Sequence, residues 1–114
     1  MPEIPNYLLS QRKRTALSQD EVAFLMGTHG GAGISRYEQF TQMPSLETAF
    51  ALELILQRPA RELFVGIYER AQQRVQSRAK TLAYKTDQAK PSRRTLRKRQ
   101  TLASIINPEF NNKK

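Results

Sequence analysis

The chain has 114 residues and a formal net charge of +9, enough for one compact domain with an extension to spare. It has no cysteine and a single histidine, His29. That excludes a disulfide framework or a thiolate zinc site and leaves little for a histidine-based catalytic or metal centre.

No apolar run approaches the ~20 residues needed to cross a bilayer. Residues 1–10 lack the basic, apolar and small-residue segments of a secretory signal. A cytoplasmic protein that uses no membrane, cofactor or metal is therefore expected. The charge is unevenly spread: residues 1–60 hold five Lys/Arg against six Asp/Glu, and residues 61–114 hold fourteen against four. Such asymmetry marks either a folded part followed by a segment that seeks polyanions, or a solvated basic helix.

Pro2 and Pro5 keep the opening residues extended, so a first helix is expected from Asn6 or Tyr7 to about Ala16. Leu8 and Leu9 are expected to turn inward. Arg12, Lys13 and Arg14 fall near its C-terminal end, where positive charge suits the helix dipole. Ser18, Gln19, Asp20 and Glu21 form a capping box that opens a second helix. Val22, Ala23, Leu25 and Met26 supply its apolar stripe, and Gly27 stops it.

Residues 28–33 carry three glycines and read as a loop. Ile34, Tyr37 and Phe40 then recur at helical spacing, which predicts a third helix from near Gly31 to near Gln39. Pro44 and Ser45 mark the next start, with Ser45 as N-cap. Leu46, Ala49, Phe50, Ala51, Leu52, Leu54, Ile55 and Leu56 surround most of that fourth helix, which predicts central burial.

Pro59 suits the start of a fifth, long helix. Phe64, Tyr68, Ala71, Val75 and Leu82 follow a heptad-like rhythm, with Arg78 at the interior position between the last two. Residues 75–82 hold too few large apolar groups for a domain core; a two-helix dimer seam and a solvated helix both fit. Pro91 breaks the run. A further helix is expected over residues 92–106 with Leu96, Leu102, Ile105 and Ile106 as sparse contacts, and residues 107–114 read as frayed. The sequence has no internal repeat.

Arg12 is followed in order by LSQDEVAFLMG, ISRYE, PSLETAFALELIL and RELF. This succession, over roughly residues 7–64, resembles the helix-turn-helix domain of the lambda-repressor-like, xenobiotic-response-element (XRE) transcriptional regulators. The resemblance implies an all-α, five-helix DNA-binding domain at residues 1–66, whose second and third helices read DNA. Residues 67–114 would then be a basic helical extension, suited to dimerisation and ending in a partly disordered tail.

By position, the resemblance also implies individual roles. Gln19 sits where the family uses a glutamine against the phosphate backbone, sometimes bracing the recognition helix. Arg12 and Glu38 fall on a semi-buried ion pair linking helices one and three, and Val22, Ile34, Tyr37 and Leu46 fall on core positions. Gly31, Ala32 and Gly33 fall in the first turn of the reading helix, with Ser35 and Arg36 outward. Beside these positions, His29, Thr41 and Gln42 are further candidates for DNA contact, with a phosphate contact and a solvated turn residue both open for His29. An arginine at Arg36 can bond bidentately to guanine, for roughly 1–3 kcal/mol of discrimination, or grip a phosphate, which positions without specifying.

The chain departs from the family pattern in three places. The turn after Gly27 is one residue longer than usual. The first turn of helix three offers Gly and Ala where glutamine, serine or arginine is usual. Small residues let the backbone approach DNA, and Ala32 can meet a thymine methyl, but each glycine weakens the helix by roughly 1 kcal/mol. Phe40 stands where a helix-ending glycine is frequent, so a different helix exit is expected.

Lys90, Arg93, Arg94, Arg97, Lys98 and Arg99 form a dense cluster with no acid near in sequence; Arg93, Arg94, Arg97, Lys98 and Arg99 are candidate phosphate contacts. These features favour a dimeric double-stranded-DNA-binding transcriptional regulator, with repression the expected mode. The alternative is an antitoxin that autoregulates through the same helices and binds a toxin through residues 75–114. A third class is an architectural or RNA-binding protein run by the basic segment. An enzyme is not expected: the glycines at 30–33 lack a Gly-Lys-Ser/Thr ending, and no nucleophile–base–orienter set is evident.

Overall fold

The computed structural model describes residues 6–108. Among them are seven α-helices and no strand: α1 (Leu8–Thr15), α2 (Gln19–Leu25), α3 (Ala32–Glu38), α4 (Leu46–Leu56), α5 (Ala60–Leu63), α6 (Val65–Asp87) and α7 (Arg93–Ile106). The protein is all-α over this range. The extended start expected at Pro2 and Pro5, and the frayed end expected beyond Pro108, lie outside the described residues. The chain divides into two compact units, Met1–Glu69 and Arg70–Lys114.

In the first unit, local chemistry sets the helix ends. Asn6 Oδ1 accepts from the Leu8 amide at 3.0 Å and so caps the start of α1. At the other end Ala16 takes a left-handed φ of 65° and closes the helix on the Lys13 carbonyl. The capping box of α2 is formed on both sides: Ser18 Oγ accepts from the Glu21 amide at 3.0 Å, and the Ser18 amide donates to Glu21 Oε1 at 2.8 Å. Gly27, at φ +79°, turns the chain out of α2. Ser45 Oγ accepts from the Thr48 amide at 3.2 Å and starts α4.

The core gathers Leu8, Val22, Ala23, Ile34, Leu52, Leu56, Leu63 and Phe64, with Tyr37 and Met26 packed against it. Three inward placements read from the sequence are overturned: Leu9, Leu25 and Leu46 are exposed. Nor is α4 centrally buried. It packs on α1 and α5, so only the Leu52–Leu56 face is enclosed, while Leu46, Phe50 and Leu54 face outward. A unit this small has too few elements to surround a helix on every side.

The long fifth helix is also broken. Phe64, at φ −113° and ψ 53°, separates α5 from α6. In a continuous helix Leu63 and Phe64 would point about 100° apart; the break lets both enter the core, where both are buried.

In the second unit, Ala79 and Thr86 of α6 and Leu102 of α7 are buried, and Gln76 Nε2 donates to the Ile105 carbonyl at 3.1 Å. Gln76, Ala79, Ala83 and Thr86 share one stripe of α6 at three- and four-residue spacing, so this is the face turned to α7. The heptad-like stripe read from the sequence lies beside it, with Val75 and Leu82 exposed. Ser92 caps α7 through a second capping box, with Thr95 as its partner.

The packing of α2 on α3 requires a glycine at one position and tolerates any small residue at another. A Cβ on Gly31 would lie 2.7 Å from Gln19 Cβ and 3.0 Å from the Gln19 carbonyl carbon, whereas one on Gly33 would meet nothing within 4 Å. Gly31→Ala should therefore lower unfolding free energy by about 1–3 kcal/mol through overpacking. Gly33→Ala should raise it by about 0.5–1 kcal/mol through helix propensity. Urea denaturation of both variants reads the opposite signs directly.

Candidate nucleic-acid interface

The inner side of α3 is fixed by a buried carboxylate. Glu38, its side chain 4% exposed, receives Arg12 Nε on Oε2 at 2.5 Å and Arg12 Nη2 on Oε1 at 3.2 Å. Gln19 Nε2 adds a third donor to Oε1 at 2.9 Å, and Arg12 Nη1 also donates to the Leu17 carbonyl at 3.0 Å. Burying a carboxylate is costly unless donors surround it. Here α1 and α2 supply the donors, which sets the position of α3 against both helices.

The hydrogen bond to Glu38 holds the Arg12 guanidinium above its ordinary range; desolvation opposes this and the charge of Glu38 adds to it. A raised folded-state value means the contribution is complete below the ordinary arginine range and disappears only above the folded value. From the arginine side the lock is therefore fully formed throughout neutral pH.

Gln19 acts as the brace. One amide hydrogen is committed to Glu38, and a side-chain amide has one more to offer. Asn6 holds the same C-terminal end of α3, where its Nδ2 donates to the Tyr37 carbonyl at 2.9 Å. Asn6 is absent from the residues that the sequence pattern points to, although an asparagine just ahead of a helix is a capping signal.

With its inner side held, α3 turns Arg36 outward, and Gln39 follows at its exit; Ser35, expected outward beside Arg36, is instead half-buried. Arg36 Nε donates to Gln42 Oε1 at 3.1 Å, and the Thr41 amide and hydroxyl both donate to the Arg36 carbonyl at 3.1 Å. Arg36, Thr41 and Gln42 therefore converge at the helix exit. Gln39 Nε2 donates to Ser35 Oγ at 3.1 Å. Gln39 is a further candidate that the sequence pattern does not single out, yet it falls seven residues after Ala32 and so on the same face.

The exit itself is unusual: Phe40 adopts φ 65°, a left-handed conformation that costs a side-chain-bearing residue roughly 1–2 kcal/mol. His29 is exposed in the turn between α2 and α3, whereas Gly31 is half-buried and faces Gln19.

In the second unit Arg93, Arg94, Arg97 and Lys98 are exposed along α7. The view of this cluster as free of acids is corrected at Arg99, whose Nε lies 3.1 Å from Asp87 Oδ1. The chain folds back after α6, and Asp87 is thereby brought to α7. Among the described residues no group of three or more His, Cys, Asp or Glu is placed to hold a metal ion, and no helix is long and apolar enough to cross a membrane.

No protein-family model, curated protein or solved structure matches the chain.

Removing one side of the buried pair should leave an uncompensated charge. Arg12→Ala and Glu38→Ala are each expected to lower unfolding free energy by about 3–5 kcal/mol. Gln19→Ala removes a hydrogen bond to a charged group and should lower it by about 1.5–3 kcal/mol. Equilibrium urea titrations of the three variants test this ranking.

Proposed function

We propose that the protein is a sequence-specific double-stranded-DNA-binding transcriptional regulator of the lambda-repressor-like, XRE type, acting as a repressor and reading the major groove with α3. The observation that carries this reading is the division of α3 into two sides. Its inner side is held by Arg12, Gln19 and Asn6, and its outer side presents small residues and short polar groups around the exposed Arg36. A helix that reads bases needs this combination. It must be held rigidly from behind and carry little bulk in front, so that one or two long donors reach the base edges.

Ala32 and Gly33 allow close approach to the groove floor. Arg36 is the base reader, and the bond it now donates to the Gln42 oxygen is given up for a base edge. Thr41, Gln42, His29 and the second amide hydrogen of Gln19 reach phosphates around it. The exposed cations of α7 add contacts that carry no sequence information. A second reading, an antitoxin whose residues 75–114 bind a toxin, draws on the exposed Val75 and Leu82 of α6. Stoichiometric co-purification of the product of an adjacent gene would favour it.

Two measurements test the main reading. Selection of duplexes from a random pool should return a motif for the wild-type chain and erase preference at one base position with Arg36→Ala. An identical motif from both removes Arg36 as the reader, and no enrichment with the wild type removes the function. Replacing Arg93, Arg94, Arg97 and Lys98 by glutamine should flatten the log–log salt dependence of binding by about 0.9 for each phosphate no longer neutralised, with the selected motif unchanged.

A further inference from the structure

The outer side of α6 carries a charged surface that the DNA-binding reading does not use. Residues 70–86 hold five cations and no acid. Four of the five, Arg70, Arg74, Arg78 and Lys85, fall within about 80° of the helix circumference and extend over roughly 22 Å of its axis. All four are exposed, and among the described residues none of them is in an ion pair. The fifth, Lys80, lies about 80° beyond the edge of this row.

Like charges at four-residue spacing repel and weaken a helix, and the row repeats that spacing at Arg70–Arg74 and again at Arg74–Arg78. An extended polyanion laid along the row relieves the repulsion. We propose that this row is a track for an unpaired nucleic-acid strand, with phosphates on the four cations and bases against the side chains that border them.

The borders select that ligand. Val75 and Leu82, 51% and 45% exposed, run along one margin, and Tyr84, 68% exposed, stands on the other. Arg78, Thr81, Leu82 and Lys85 line a cleft of about 290 Å³, where two cations, a hydroxyl and an apolar side chain meet. An unpaired strand has the matching build, with a charged line of phosphates beside flat faces that stack on aromatic groups. In a duplex those faces are closed inside the stack, and Tyr84 has nothing to bind. A protein partner fits less well: two large apolar side chains supply far less than the roughly 800 Å² per partner of a standard interface, whereas a polyanion is held by charge.

At a rise of about 3.4 Å per nucleotide, the row spans roughly six phosphates. It belongs wholly to the second unit and uses no residue of α3. The inference therefore goes beyond the regulator reading, and either can fail while the other stands.

The experiment is fluorescence anisotropy of the full chain with a labelled oligothymidine of about 15 nucleotides, which has no self-pairing, at several salt concentrations. The wild type should bind at low salt, with a log–log salt slope of about 0.7 for each phosphate neutralised. Arg74→Gln combined with Arg78→Gln should make that slope shallower by about 1.4. Lys80→Gln removes one positive charge off the row and should leave the slope unchanged.

Tyr84→Leu keeps every cation and should weaken oligothymidine binding at least about fivefold at an unchanged slope. Its affinity for inorganic polyphosphate, a phosphate chain without bases, and for a duplex of equal length should stay at the wild-type value. Absence of oligothymidine binding at low salt overturns the proposal. So does a slope that drops as much per charge with Lys80→Gln as with the row variant, because bulk charge and not a track would then hold the strand. A Tyr84→Leu effect that is absent, or equal for all three ligands, overturns it as well.

Discussion

A carboxylate that is almost wholly buried must find donors, and around Glu38 that requirement organises the first unit. Water would solvate the charge in the unfolded chain; in the folded one Arg12 and Gln19 have to replace it. Those donors sit on two different helices, so the bonds form together only when α1, α2 and α3 are mutually placed. The apolar core under them supplies most of the driving force but little direction, since hydrophobic burial is non-directional. The fork geometry of the guanidinium against a carboxylate adds orientation. The close approach of Gly31 to Gln19 is part of the same arrangement, because the residue that braces Glu38 also forms the wall against which α3 begins.

The consequence for function is that rigidity and reach are assigned to opposite sides of one short helix. Ile34 and Glu38 are buried while Arg36 and Gln39 are exposed, and the outward polar groups already pair with one another through Arg36–Gln42 and Ser35–Gln39. In the proposed function those pairs exchange for contacts to bases and phosphates. Such an exchange involves surface hydrogen bonds only, whose net worth is about 1 kcal/mol each, and leaves the Glu38 lock untouched. The left-handed Phe40 lets Thr41 fold back onto the Arg36 carbonyl, which keeps the helix exit beside its own outward face.

The second unit obeys different physics. It has few large apolar groups, and α6 turns its small residues toward α7. Ala79 and Thr86 of α6 and Leu102 of α7 are buried, and Gln76 satisfies the Ile105 carbonyl near the end of α7. The exposed basic side of α7 then follows from the pattern of its own sequence, with Arg99 drawn to Asp87 and the remaining cations left in solvent.

Much of this architecture is legible in the residues. Helix starts at Ser18 and Ser45 follow from side-chain oxygens that can reach amides three residues on, and the end of α2 follows from Gly27; these are local interactions, carried by neighbours in the chain. The Arg12–Glu38 pair is also expected, but through resemblance to a known pattern, because a contact across 26 residues has no local signature. What only the tertiary structure decided is which side of each apolar helix is enclosed. Periodicity reports that Leu46, Phe50 and Leu54 are apolar, as it does for Leu52 and Leu56, and the heptad rhythm of α6 gives no hint that Gln76 and Ala79 meet α7 instead. Burial depends on how many other elements exist to cover a face, and on what hydrogen bonds their approach completes. Those quantities belong to the assembled chain and to no single segment of it.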